Sequence, residues 1–465
     1  MSPAFLADRL AACLLILLTG LVTVSEWGGP LATWMIPSVT LSVLLLLSLR
    51  VRPARLAFVA VGVLLTVLLA WRGQDWQANA TKGLGSAAFI AAFFTALSTL
   101  RNVAETSPAI QAGGTFLALQ PPGRRYAALT VGGHLFALLL NYGAISLLGG
   151  LASTSARAES DPEIRRHRTR RMLLAIQRGF IASLPWSPLA FAMAITTALI
   201  PGARWADAVV PGLVSAAIIT VTGWALDTIF KPRLSHPPPA RGPVEGSWAL
   251  MLPLLGLLVL LGISVSLLHA VTGVRVVGIV MLVVPVIALA WALIQDRGSA
   301  LDGALLRRLA GYIDRDLPGY RGEITLLMMA GYIGTVGAPL LAPLVAAAGL
   351  HPEDLPAWLV LAGFVWLLPV LGQLGMNPIL AVTLIAPLIP EAAEMGVSPA
   401  AIVTALAAGW AVSGVSSPFT ATTLLIGSFG GVSALHVGLR WNGAYVIVVA
   451  TLLTIWVLAF AFLLS

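Results

Sequence analysis

Apolar residues in this chain fall into blocks of about 20 positions, the length an α-helix needs to cross a ~30 Å hydrocarbon layer. The blocks lie at 10–26, 31–49, 56–71, 84–100, 172–201, 207–230, 248–268, 276–295, 322–347, 399–430 and 443–464, which predicts about eleven transmembrane spans. Two further apolar segments, 126–153 and 357–391, are each interrupted in the middle. The stretch 303–320, GALLRRLAGYIDRDLPGY, is too polar to span and predicts an interfacial amphipathic helix; 106–122 reads the same way.

Composition supports this pattern. Of 465 residues, 58% are hydrophobic and only 10% charged, against roughly a quarter charged in an ordinary soluble domain, which excludes a water-soluble fold. The net charge of +8 reflects topology rather than a nucleic-acid partner, because the basic residues cluster in short loops. Arg50, Arg52 and Arg55 form one cluster, and Arg165, Arg166, Arg168, Arg170 and Arg171 another. Lys231, Arg233 and Arg241 follow, then Arg297, Arg307, Arg308 and Arg315. By the positive-inside rule these loops are cytoplasmic.

Parity holds only if 126–153 and 357–391 each enter and leave on one side, so both are expected to be re-entrant hairpins, the first cytoplasmic and the second periplasmic. Residues 1–30 then hold a first, uncleaved span with a cytoplasmic amino terminus in the inner membrane. A first repeat covers 31–230, a proline-rich cytoplasmic linker 231–247, and a second repeat 248–465. Cys13 is the only cysteine, which rules out an internal disulfide or a redox pair.

The repeat is visible in the residues themselves. Gly179-Phe180-Ile181-Ala182-Ser183-Leu184-Pro185-Trp186-Ser187-Pro188 aligns without a gap with Gly409-Trp410-Ala411-Val412-Ser413-Gly414-Val415-Ser416-Ser417-Pro418. Before each copy lies a hairpin with an asparagine near its tip: Leu140-Asn141-Tyr142-Gly143 in one half, Met376-Asn377-Pro378 in the other. Because the copies fall on opposite membrane faces, the expected fold is all-α and polytopic, built from two inverted repeats with broken helices at 172–201 and 399–430.

Proline removes a backbone donor and restrains the residue before it, so Ser187-Pro188 and Ser417-Pro418 are expected to unwind their spans. Freed amides suit an anion and freed carbonyls suit a cation. The candidate site residues are therefore Asn141, Tyr142, Gly143, Ser183, Ser187, Pro188, Gln373, Asn377, Pro378, Ser413, Ser416, Ser417, Pro418, Thr420 and Thr422. Sodium is expected near Asn141 and Ser187 and near Asn377 and Ser417. Serine and threonine also pack helices and satisfy proline kinks without binding anything. Arg178 reads as a side chain snorkelling to the cytoplasmic face, and His134 as a packing residue.

These residues, with their order and topology, resemble the ion transporter superfamily, which includes the divalent-anion:sodium symporters and the membrane subunits of tripartite periplasmic carboxylate transporters. The resemblance implies sodium sites between hairpin tips and broken helices, a homodimer, and a transport domain moving against a scaffold. Leu-Asn-Tyr and Met-Asn-Pro stand here where the symporters carry Ser-Asn-Thr. The expected activity is cation-coupled movement of a small organic anion such as a carboxylate, coupled to sodium or protons, with no cofactor beyond sodium. A cation/proton antiporter is the alternative within transport. An enzyme acting on a lipid-linked substrate is disfavoured by the lack of an Asp-rich or HExxH motif.

Overall fold

A computed structural model describes residues 3–73, 75–232, 234–235, 246–295, 304–349 and 351–464. Among these residues every regular element is helical, and nine helical segments, one of them the interrupted Pro399–Gly430, are long and apolar enough to cross a membrane. The chain is an all-α polytopic membrane protein. Most of the linker expected at 231–247 lies outside the described residues, as do Arg233, Arg241 and Arg297.

Two of the eleven expected spans, 31–49 and 172–201, are not among these nine. Within 31–49 the continuous helix is only Ile36–Ser48, 13 residues, or about 20 Å at 1.5 Å per residue. Pro37 sits in its first turn, where a missing N–H does no harm, and fixes the late start. The block 172–201 is two helices, Pro162–Ile181 and Phe191–Leu199. The first starts ten residues early because the Asp161 carboxylate accepts from the amides of Glu163 at 2.8 Å and Ile164 at 3.2 Å, with Pro162 following as first helical residue.

The chain forms two compact units. Unit 1 comprises Met1–Val103, Leu261–Pro352 and Ile379–Ile389. Hydroxyl pairs join its helices: Thr66 with Tyr332 at 2.8 Å, half-buried, and Ser98 with Tyr312 of the short turn Tyr312–Asp316 at 2.6 Å, buried. Leu69, Val336 and Leu340 pack beside the first of these. Asp8 takes both Arg50 donors at 3.1 Å, which puts the start of the first helix at the same end as the loop after Ile36–Ser48.

Unit 2 comprises Ala104–Leu260, Glu353–Pro378 and Pro390–Ser465. Its centre is the helix Pro399–Ser416, in which every residue from Ala400 to Ser416 is buried. A helix apolar on all sides belongs in such a position. Around it stand the halves of the first broken helix, the helices Trp205–Ile229 and Gly443–Ala459, and the arm Ala357–Gln373.

The two interrupted segments differ. In 126–153 the arms Pro122–Leu140 and Tyr142–Arg157 pack on each other within unit 2. In 357–391 the first arm, Ala357–Gln373, belongs to unit 2, whereas Ile379–Ile389 belongs to unit 1. There Thr383 donates to the Ala330 carbonyl at 3.3 Å, in the space left by Gly334.

Candidate substrate and cation site

Every site residue named from the sequence lies in unit 2, and the two Ser-Pro motifs fold alike. The first helix stops at Ile181 and resumes at Phe191; the second stops at Ser416 and resumes at Ala421. At each stop the serine before proline donates its amide one turn back, Ser187 to Ser183 O at 3.1 Å and Ser417 to Ser413 O at 2.9 Å. Each serine hydroxyl then accepts from the amide just past the proline, Leu189 and Phe419, both at 3.2 Å. Downstream, Ala194 donates to Ala190 O at 3.0 Å, as Leu424 does to Thr420 O at 3.1 Å.

The approach of the hairpin arms is repeated as well. A Cβ on Gly179 would lie 2.1 Å from the Thr130 carbonyl oxygen, and one on Gly409 would lie 2.2 Å from that of Phe364. Thus each motif glycine lets an arm carbonyl come against the broken helix eight residues before the proline-preceding serine. The two breaks also meet: Gly414, at the end of the second upstream half, packs on Ile181 and Leu184 of the first.

The second break is rich in hydroxyls, and most serve the break itself. Thr422 donates to the Gly414 carbonyl, and Thr423 to that of Ser417 at 2.6 Å. Thr420 reaches Ser417 O at 3.0 Å, and Ser416 donates to Val412 O at 2.8 Å. Ser417 donates to the Gly372 carbonyl at 2.6 Å, fastening the break to the end of the arm Ala357–Gln373. Ser413 is fully buried, and its hydroxyl has no hydrogen-bond partner among the described residues. In the first copy the aligned Ser183 instead donates to Phe180 O at 2.7 Å.

Of the hairpin tips, Asn141 has φ 49° and ψ −129°, the one non-glycine positive φ among the described residues. That conformation is strained for a residue with a Cβ. The neighbouring Tyr142 ring stacks on Phe180 with centroids 5.2 Å apart, and Gly143 is buried. Asn141 is thereby held to the first broken helix through Tyr142, without a hydrogen bond to Ser187. Gln373 and Asn377 are half-buried on either side of the turn at Gly375, φ 92°, and Pro378 is buried. The break residues Pro188 and Pro418 are half-buried.

One reading from the sequence needs correction. Arg178 does not snorkel; it is 5% exposed and clamped inside unit 2. Its Nε and Nη2 donate to the Asn442 carbonyl oxygen at 3.2 Å, Nη1 donates to the Tyr126 hydroxyl at 2.9 Å, and the guanidinium lies 4.1 Å from the centre of the Tyr445 ring. Asn442 also donates to Gln177 at 3.0 Å. No carboxylate pairs with Arg178 among the described residues. The charge is held by neutral acceptors and a π face, a costly burial that polar partners make tolerable. The available signal was position: Gln177 and Arg178 interrupt an apolar run, and such residues face a bundle interior.

His134 lies on the first hairpin arm with its ring stacked on Trp186, centroids 5.6 Å apart, and its Nδ1 without a hydrogen-bond partner among the described residues. Among the described residues no three His, Cys, Asp or Glu side chains are grouped to hold a metal ion. The oxygens at the second break are neutral and hard, a donor set that fits sodium better than a transition metal.

No protein-family model matches this chain, and no curated protein sequence matches it. Among solved structures it is similar to the YdaH transporter of Alcanivorax borkumensis, described as having an unusual topology, with a TM-score of 0.55 and 16% identity. The match covers 87% of this chain and 98% of that one. The Neisseria gonorrhoeae MtrF structure, described as illuminating a class of antimetabolite efflux pumps, gives a TM-score of 0.46 at 16% identity over 80% of this chain and 81% of that one. At this identity the likeness to YdaH is one of fold.

Proposed function

We propose that the chain is a secondary active transporter of the inner membrane, with its amino terminus in the cytoplasm, that couples a small organic anion such as a carboxylate to sodium or protons. The observation that carries this reading is the pair of helix breaks, built with the same turn and abutting within one unit. Paired broken helices related by an internal repeat are a recurrent way to make a midplane binding site with alternating access. The shared fold with a solved transporter supports it, as does the sequence resemblance to the ion transporter superfamily.

The chemistry follows from the half-helices. Those beginning at Phe191 and Ala421 have no side-chain cap at their amino ends, so their first amides and the positive end of each helix dipole favour an oxyanion. Ser413, buried with an unused hydroxyl, adds an oxygen for a cation beside the second break. In this reading unit 2 is the moving body of an elevator-like cycle and the protein works as a homodimer.

The test is uptake of labelled mono- and dicarboxylates into proteoliposomes under an imposed sodium gradient or pH gradient. Concentrative uptake that collapses when the gradient is dissipated is the expected result. Discharge of a pH gradient by sodium alone, with no anion accumulated, would establish cation/proton exchange instead.

A further inference from the structure

His134 lies deep in the arm Pro122–Leu140, about 18 Å along it from Pro122 at 1.5 Å per residue. An ionisable side chain at such depth in a membrane protein is uncommon and points to function. The charges around it are accounted for on every element that the arm packs against. Pro108–Leu119 carries none, and Tyr142–Arg157 only Arg157 at its far end. On Pro162–Ile181 the charges from Glu163 to Arg171 lie in its first half, and Arg178 is taken up by Asn442, Tyr126 and the Tyr445 ring. On Trp205–Ile229, Asp207 pairs with Arg204 and Asp227 with Arg171. On its own arm Arg124 and Arg125 stand at the start, and no ionised group bears on the imidazole.

Two buried atoms, His134 Nδ1 and Trp186 Nε1, have no hydrogen-bond partner among the described residues. They belong to rings stacked 5.6 Å apart at an interplanar angle of 23°. Trp186 sits in the first break beside Ser187-Pro188, and its carbonyl accepts from the Trp205 indole at 2.8 Å, which fixes its backbone. The Trp186 ring can therefore serve two partners. Its face attracts a cation at this separation, so it suits an imidazolium. Its N–H calls for an acceptor, which an anion entering the break supplies. A buried imidazolium also needs a counter-charge; the chain places none at His134, whereas a carboxylate cargo brings one.

We propose that His134 is the proton-binding group of the transport cycle, taking up a proton together with the anion held by Trp186, so that one carboxylate charge and one proton cross as a neutral pair. The proposal rests on the transporter reading above and names the proton as the driving ion at the first break. The proton passes from water to the imidazole as the site loads and returns to water on the far side as the anion leaves. Each of the two strengthens binding of the other by the same factor, which is what couples them.

The test uses the full-length protein in proteoliposomes, with labelled lactate, succinate and glutamate as probes in sodium-free buffer. A probe should accumulate under an inward proton gradient, and its KM should rise close to tenfold per pH unit above pH 7, the slope of one proton per anion. His134→Gln, polar but not titratable, should flatten that slope and abolish accumulation, with a melting temperature near wild type as evidence of folding. His167→Gln, near the start of the helix Pro162–Ile181, should leave both intact. Trp186→Phe keeps the stack without the N–H, and should raise KM about tenfold at every pH while preserving the slope.

A wild-type KM that does not change with pH, or accumulation under a sodium gradient alone, would overturn the proposal and leave the transporter reading standing. So would a slope that persists in folded His134→Gln, which would mean that the proton rides on the cargo. Absence of accumulation of every probe under both gradients would remove the transporter reading itself, and this proposal with it.

Discussion

Asn141 is the residue at which backbone and side chain can be separated. Its φ of 49° is one that glycine adopts without strain. Asn141→Gly should therefore raise stability by up to about 1 kcal/mol while abolishing uptake if the amide contacts the cargo. Unchanged uptake would assign the tip a purely structural role. Gly179 and Gly409 make the opposite case, since a Cβ on either meets an arm carbonyl. Alanine at either position should cost about 1–3 kcal/mol, read as a lower melting temperature in detergent. Gly20→Ala, with nothing within 4 Å of the new carbon, is the control and should be neutral or stabilising. Asn442, which the chain pattern did not mark, should be as sensitive. Asn442→Ala strips two donors of Arg178 of their acceptor and should cost about 1.5–3 kcal/mol.

At the scale of elements, the breaks were legible because proline and the preceding residue act locally, and Ser187-Pro188 and Ser417-Pro418 declare themselves in any span. Their unequal lengths were not. The first gap runs from Ala182 to Ala190, the second from Ser417 to Thr420, and the difference depends on which carbonyls find partners. At the second break Thr422 and Thr423 fold back to satisfy them. The same contacts explain why hydroxyl density overstated the ligands available, since most hydroxyls there already donate to the backbone. Ser413 was indistinguishable in sequence from its neighbours, and only packing shows that its hydroxyl is unused. Thr423→Val, isosteric without the hydroxyl, removes the shorter of the two threonine bonds to the Ser417 carbonyl while Thr420 keeps the other, and should lower the melting temperature with a loss on the order of 0.5–1.5 kcal/mol. An unchanged melt would mean that the second break holds itself open without Thr423.

At the scale of the molecule, apolar block length was enough for an all-α membrane protein, because the bilayer admits few alternatives. Division into units was beyond that logic: the segment 357–391 reads as one hairpin, yet its arms cluster with different units. What assigns them is side-chain fit at distant positions, such as Thr383 in the space at Gly334, which no local pattern encodes. The central claim is that the two breaks, far apart in sequence, form one transport site. Initial rates of gradient-driven anion uptake, measured side by side for wild type, Pro188→Ala and Pro418→Ala in proteoliposomes, test it most directly. Both variants should fold, melt within a few degrees of wild type, and lose roughly tenfold or more of the coupled rate. If both retain the wild-type rate and its cation dependence, the prolines merely kink packed helices and the site lies elsewhere.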